Sequence, residues 1–173
     1  ASGWVLEAGS PLSGNGNTNA QPEVLVAIGG LATSIGAADI TEIEMITTAF
    51  SKGAAAAGSR TLSVRARFNE PVDVNTSGGT PYLALTNGNQ GSGSGRGPHN
   101  LPYVSGTGTN ELVFTLVLAQ NANATNANDV LTVGTNAMNL NSGTIKDAGT
   151  STNSTITNSS AIGTAAGSVT VAA

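Results

Sequence analysis

The stretch RTLSVRARFNEPVDV, Arg60–Val74, decides the fold. Leu62, Val64, Ala66 and Phe68 alternate with Ser63, Arg65, Arg67 and Asn69. Successive side chains of a strand point to opposite faces, so this period describes a strand with one buried face and one wet one. Pro71 interrupts the run. It has no amide hydrogen to give a ladder, which places it at a strand end or edge. Val72 and Val74 resume the alternation around Asp73.

The same pattern recurs downstream. Tyr82 to Thr86 is a second apolar strand, ended by Asn87-Gly88. Tyr103-Val104 leads into a turn, SGTGTN. Glu111 to Ala119 is the strongest strand, with Leu112, Phe114, Leu116 and Leu118 on one face. Val113 and Val117 on the other face imply that it too is partly covered. Val169 to Val171 forms the last strand. Asp39 to Phe50 reads two ways. A helix gives the stripe Ile40, Ile43, Ile46 and Phe50, capped by Asp39 with Glu42 in the third position. A strand sets Ile43 and Met45 against Glu42 and Glu44, and the Ile and Thr content favours it.

The order of these pieces resembles the bacterial immunoglobulin-like, cadherin-like repeat of the SwmB type. FNEPVDV (68–74), TPYLAL (80–85), YVSGTGTNELVFTLVLA (103–119) and NAMNLNSGTIKDAGT (136–150) carry the likeness, which spans roughly residues 40 to 173. The resemblance implies an all-β, immunoglobulin-like β-sandwich of about seven strands. Residues 39–173 would form it, and residues 1–38 an N-terminal arm. Such repeats occur in adhesins, surface proteins and phage structural proteins, so the likeness speaks for fold before function. With no internal repeat, the chain is a single copy of a unit usually found in tandem.

Composition narrows the function classes. Charged residues make up 9% and aromatics 3% of the 173 residues. The net charge is −4, with no Lys/Arg cluster, which argues against nucleic-acid binding. There is no cysteine, hence no disulfide, thiolate zinc site or thiol nucleophile. No apolar run reaches the ~20 residues of a membrane helix. A first residue of Ala1 fits removal of an initiator Met or of an upstream signal peptide.

Chemistry is sparse. His99, the only histidine, lies beside Gly97-Pro98 and reads as a solvated loop residue, with no catalytic residue assigned. Gly91, Gly93, Gly95 and Gly97 lack the lysine and following helix of a phosphate loop. Glu70, Asp73, Asp129 and Asp147 are the calcium candidates, since strand-end acids of cadherin-like domains supply such sites. They lack tight acidic spacing, so solvated carboxylates are the simpler reading. Four Asn-X-Ser/Thr sequons, at Asn75, Asn123, Asn153 and Asn158, are expected by chance in so Asn-rich a chain. Tyr82 and Tyr103 read as sandwich residues before sugar-stacking ones.

The expected function is therefore structural, with no cofactor, small-molecule substrate, nucleic acid or membrane. The leading reading is a capsid decoration (cement) protein on a phage virion surface. It would bind its own copies, a trimer being favoured, and a major capsid protein. The alternative is a secreted adhesin module or extracellular filament subunit. Expected partner contacts are Trp4, Val5 and Leu6, the run Val24, Leu25 and Val26, and the loop residues Arg96 and His99.

Overall fold

The computed structural model describes residues 2–6, 23–28, 36–51, 60–88, 97–118 and 125–173. The chain divides into two compact units, Ala1–Gly36 and Ala37–Ala173. The first contains an antiparallel hairpin of β1 (Ser2–Leu6) and β2 (Glu23–Ile28). Trp4 is opposite Val26 and Val5 opposite Val24, with a register shift between Trp4 and Val5.

The body is built from β3 (Ile40–Met45), β4 (Phe50–Ser51), β5 (Thr61–Asn75), β6 (Tyr82–Gly88), β7 (His99–Ser105), β8 (Thr109–Val117), β9 (Val130–Asn139), β10 (Thr144–Asp147), α1 (Ser160–Ala165) and β11 (Ser168–Ala172). The strands form one hydrogen-bonded ribbon, ordered β10-β5-β8-β7-β6-β9-β11-β4, with β3 also on β5. β7 turns the ribbon back on itself. Its first half, His99–Pro102, pairs with β6, whereas Tyr103 and Ser105 pair with β8. Two layers result: β3, β10, β5 and β8 in the first; β6, β9, β11 and β4 in the second. This is the strand order of an immunoglobulin-like sandwich. Two short extra strands, β4 and β10, take it beyond seven.

The alternation explains the core. Leu62, Val64, Ala66, Phe68, Leu112 and Phe114 point inward from the first layer, and Leu83, Leu85, Leu101, Leu131, Val169 and Val171 from the second; all are essentially inaccessible. Tyr103 seals one side. Its ring meets Phe114 edge-on at 6.0 Å, and its hydroxyl accepts the Thr107 N–H at 2.9 Å. The ambiguous run at Asp39–Phe50 is strand over Ile40–Met45 and again from Phe50, and it serves both layers. β3 runs antiparallel to β5. The chain then crosses at Ile46 and Thr47, whose N–H groups bond Ser63, and Phe50 enters the core beside Val171 as β4 runs parallel to β11.

Pro71 is not at a strand end. It sits inside the long β5, in an irregularity where the step from Arg67 to Val72 is matched on β8 only by Glu111 to Thr109. The extra residues loop out of the ladder, so the missing N–H costs no bond there. Val117 is 67% exposed, so the outer face of β8 is open at that end.

The segment after β10 closes the side between β3 and β9. Thr155 N–H bonds Ala38 C=O at 2.7 Å, and Met45 N–H bonds Ala166 C=O at 2.9 Å. Asn158, 3% exposed, accepts the Ala137 N–H and donates to Gly134 C=O, both at 2.8 Å. Ser159 caps α1. Two turns nest backbone to backbone at one pole. A Cβ on Gly79 would lie 1.9 Å from Asn141 O, and one on Gly143 would lie 2.3 Å from Gly79 O.

Candidate interaction surface

The two outer faces of the sandwich differ in kind. On the first layer, Glu42, Arg67 and Glu111 are cross-strand neighbours on β3, β5 and β8, and Glu44 is opposite Arg65. Period two puts all five on the solvent side. Arg67 reaches Glu111 at 2.7 Å and Glu42 at 2.9 Å; Arg65 reaches Glu111 at 3.2 Å and also pairs with Glu44. The hydrogen bond from Arg67, with the charge of Arg65, holds the Glu111 carboxyl below the usual carboxylate range. The bond to Glu44 chiefly raises Arg65 further. Exposed pairs of this kind add little stability, but they keep this face wet and nearly neutral, with three carboxylates to two guanidinium groups.

The second layer carries no such charges. The strands β6, β9, β11 and β4 contain no Asp, Glu, Lys or Arg. Their outward positions are mostly hydroxyls and small groups, with Tyr82 and Val130 half-buried among them. Thr86, Thr132 and Ser168 are in register across three strands, and the Thr86 and Thr132 hydroxyls meet at 2.7 Å. Between β4 and β11 lies an open groove of about 390 Å³, floored by Thr48, Ala49, Ser168 and Thr170. A neighbouring hollow of about 340 Å³ lies where Gly163 and Thr164 of α1 meet Thr132 of β9. Ser168 lines both.

The expected site residues fall in three groups. Trp4, Val5 and Leu6 lie in β1, and Val24, Leu25 and Val26 in β2, so the apolar runs pair with each other. Arg96 lies outside the described residues. His99 is not a solvated loop residue: it opens β7, is 5% exposed, and its Nε2 lies 3.3 Å from Asn87 Nδ2. A side chain so enclosed offers a partner almost nothing. Burial holds its imidazole below the ordinary pKa, with the Asp129 carboxylate acting in the opposite sense.

The acidic candidates are dispersed and mostly committed to backbone. Asp147, 6% exposed, accepts the Ala38 N–H at 2.8 Å and the Ser154 hydroxyl at 3.2 Å. Asp129, fully buried, accepts the Asn126 N–H at 2.8 Å. Asp73 accepts the Gly149 N–H at 3.2 Å, and Glu70 Oε1 is a buried oxygen with no hydrogen-bond partner. No three acidic or histidine side chains converge on a metal-sized site among the described residues. Asp129 and Asp147 are therefore not solvated carboxylates but fastenings for the loop before β9 and the entry to β3. The sequon at Asn158 is likewise buried. Sequence periodicity missed the Asp147 role because its partner is elsewhere in the fold, with Ala38 and Asp147 109 positions apart; for Asp129, whose partner Asn126 is local, it missed the burial.

No protein-family model, curated protein or solved structure matches this chain.

Proposed function

We propose that the chain is a non-enzymatic structural subunit whose N-terminal hairpin docks on a neighbouring molecule. On this reading it is a capsid decoration protein that binds its own copies and a shell protein. The observation that carries the assembly role is the hairpin. Apart from Ser2, Gly3 and Glu23, its strands are wholly apolar. A two-stranded sheet is marginal alone in water and needs a third strand or a packed face. Such an element gains its stability on docking, and so stabilises the assembled form in preference to the free subunit. The SwmB-type likeness, low charge and absence of cysteine support the virion setting over a soluble enzyme.

The alternative is an adhesin or filament module, in which the two-stranded β1–β2 sheet offers the outer edge of β2 to a strand of the next subunit.

The test is sedimentation of the full chain against residues 37–173. The core identified among the described residues lies wholly in Ala37–Ala173, so the shorter chain is expected to fold. An oligomer that becomes a folded monomer on removal of residues 1–36 is expected, together with capsid binding by the full chain only. Equal masses for the two chains would refute the assembly role.

A further inference from the structure

We infer that the outer face of the second layer, along β9, β11 and β4, is the seat for the β1–β2 hairpin of a second copy. This rests on reading the hairpin as an assembly device, and it names the acceptor. Three observations select the face. The hairpin strands carry one charge, Glu23, the first residue of β2, so their docking surface must bury apolar groups without stranding ions. The outer face of the first layer fails this requirement: Glu42, Glu44, Arg65, Arg67 and Glu111 would all lose water there. The second layer meets it, since its strands carry no charged side chain.

Relief is the second selection. Interface cores are poor in charge and accept bulky aromatic anchors into pockets lined by smaller residues. Trp4 is the only tryptophan of the chain. The groove beside Thr170, at about 390 Å³, is large enough for an indole, and its lining mixes methyl groups with hydroxyls able to meet the ring N–H. Thirdly, the Thr132 hydroxyl can donate to Thr86 Oγ1 while the Thr86 hydroxyl donates to Thr132 C=O at 3.1 Å, so covering this pair strands no donor.

The sole tryptophan also provides the assay. The full chain is followed by sedimentation and by Trp4 emission over a concentration series. Variants are Thr170→Glu and Ser168→Arg, both at exposed positions of β11, with Val117→Glu on the first layer as control. Circular dichroism melts of the same variants in residues 37–173 confirm that the body is intact. The wild type is expected to associate with a blue shift of Trp4. Both β11 variants are expected to weaken association by at least about tenfold, whichever sign is introduced; Val117→Glu should match wild type. If removing residues 1–36 dissociates the oligomer but both β11 variants assemble normally, the hairpin docks elsewhere and this inference falls while the assembly role stands. If the truncated chain still assembles, the assembly role itself falls. A monomeric wild type with blue-shifted emission at every concentration overturns both.

Discussion

Replacing Asp147 with alanine is expected to cost the body about 3 kcal/mol. The carboxylate is buried and receives two donors that have no water to fall back on: the N–H of Ala38, itself fully inaccessible, at 2.8 Å, and the Ser154 hydroxyl at 3.2 Å. Leaving a buried donor unsatisfied costs roughly 1–3 kcal/mol, more when the lost acceptor was charged. The shorter bond belongs near the top of that range and the longer near the bottom. For a body of this size each kcal/mol moves the midpoint by about 2–4 °C or slightly more, so Asp147→Ala should melt about 10 °C lower. Asp147→Asn keeps an oxygen in place and should lose about 1 kcal/mol. The assay is thermal unfolding of residues 37–173 by circular dichroism, with amide exchange at Ala38 and at Thr155, whose N–H bonds Ala38 C=O. The loss should not depend on added calcium. An alanine variant that melts with wild type, or an asparagine variant as damaged as the alanine, would refute the view that Asp147 works as an acceptor tying β3 to β10.

Other expectations follow from local geometry. Gly79→Ala should cost about 2–4 kcal/mol, because its Cβ would sit 1.9 Å from a backbone oxygen that cannot move aside; chemical denaturation measures it. Ser142 has φ +66°, and replacing it with glycine should raise stability by about 0.5–1 kcal/mol, read as a higher melting midpoint. Stability should fall as pH drops below about 6.5, the unfolded histidine value. The folded His99 pKa is depressed by burial, so the unfolded chain takes up the proton first, and the loss grows until the depressed folded value is passed. His99→Gln should flatten that slope in a melting series from pH 8 to pH 5.

Much of the sandwich is written in local pattern. The alternations at Leu62–Phe68 and Leu112–Phe114 place every one of those inward residues in the core. β-Branched content decided Ile40–Met45 correctly as strand. What local pattern cannot carry is the partner across the fold. His99 looked solvated beside Gly97-Pro98, yet its pairing with β6 draws it inside. Asp147 looked like a surface acid because only the closed structure delivers the Ala38 N–H that it accepts. Asp129 accepts the N–H of Asn126, three positions away, and its local sequence did not show its complete burial. α1 escaped notice because Ser160–Ala165 is short and has no apolar stripe; its position is set by Gly163 resting against the backbone of Val133 and Gly134. The compact body begins at Ala37, and Ala38 is already part of its core. That the uncharged strands β6, β9, β11 and β4 lie side by side shows only in the strand pairing.

The central claim is that the β1–β2 hairpin is held by a neighbouring molecule. Amide hydrogen exchange of Ser2–Leu6 and Glu23–Ile28, measured in the full chain below and above its association concentration, tests it most directly. Fast exchange in the dilute chain and slow exchange in the assembled one is the predicted result. Protection that is already complete at dilutions where the chain is monomeric would contradict it.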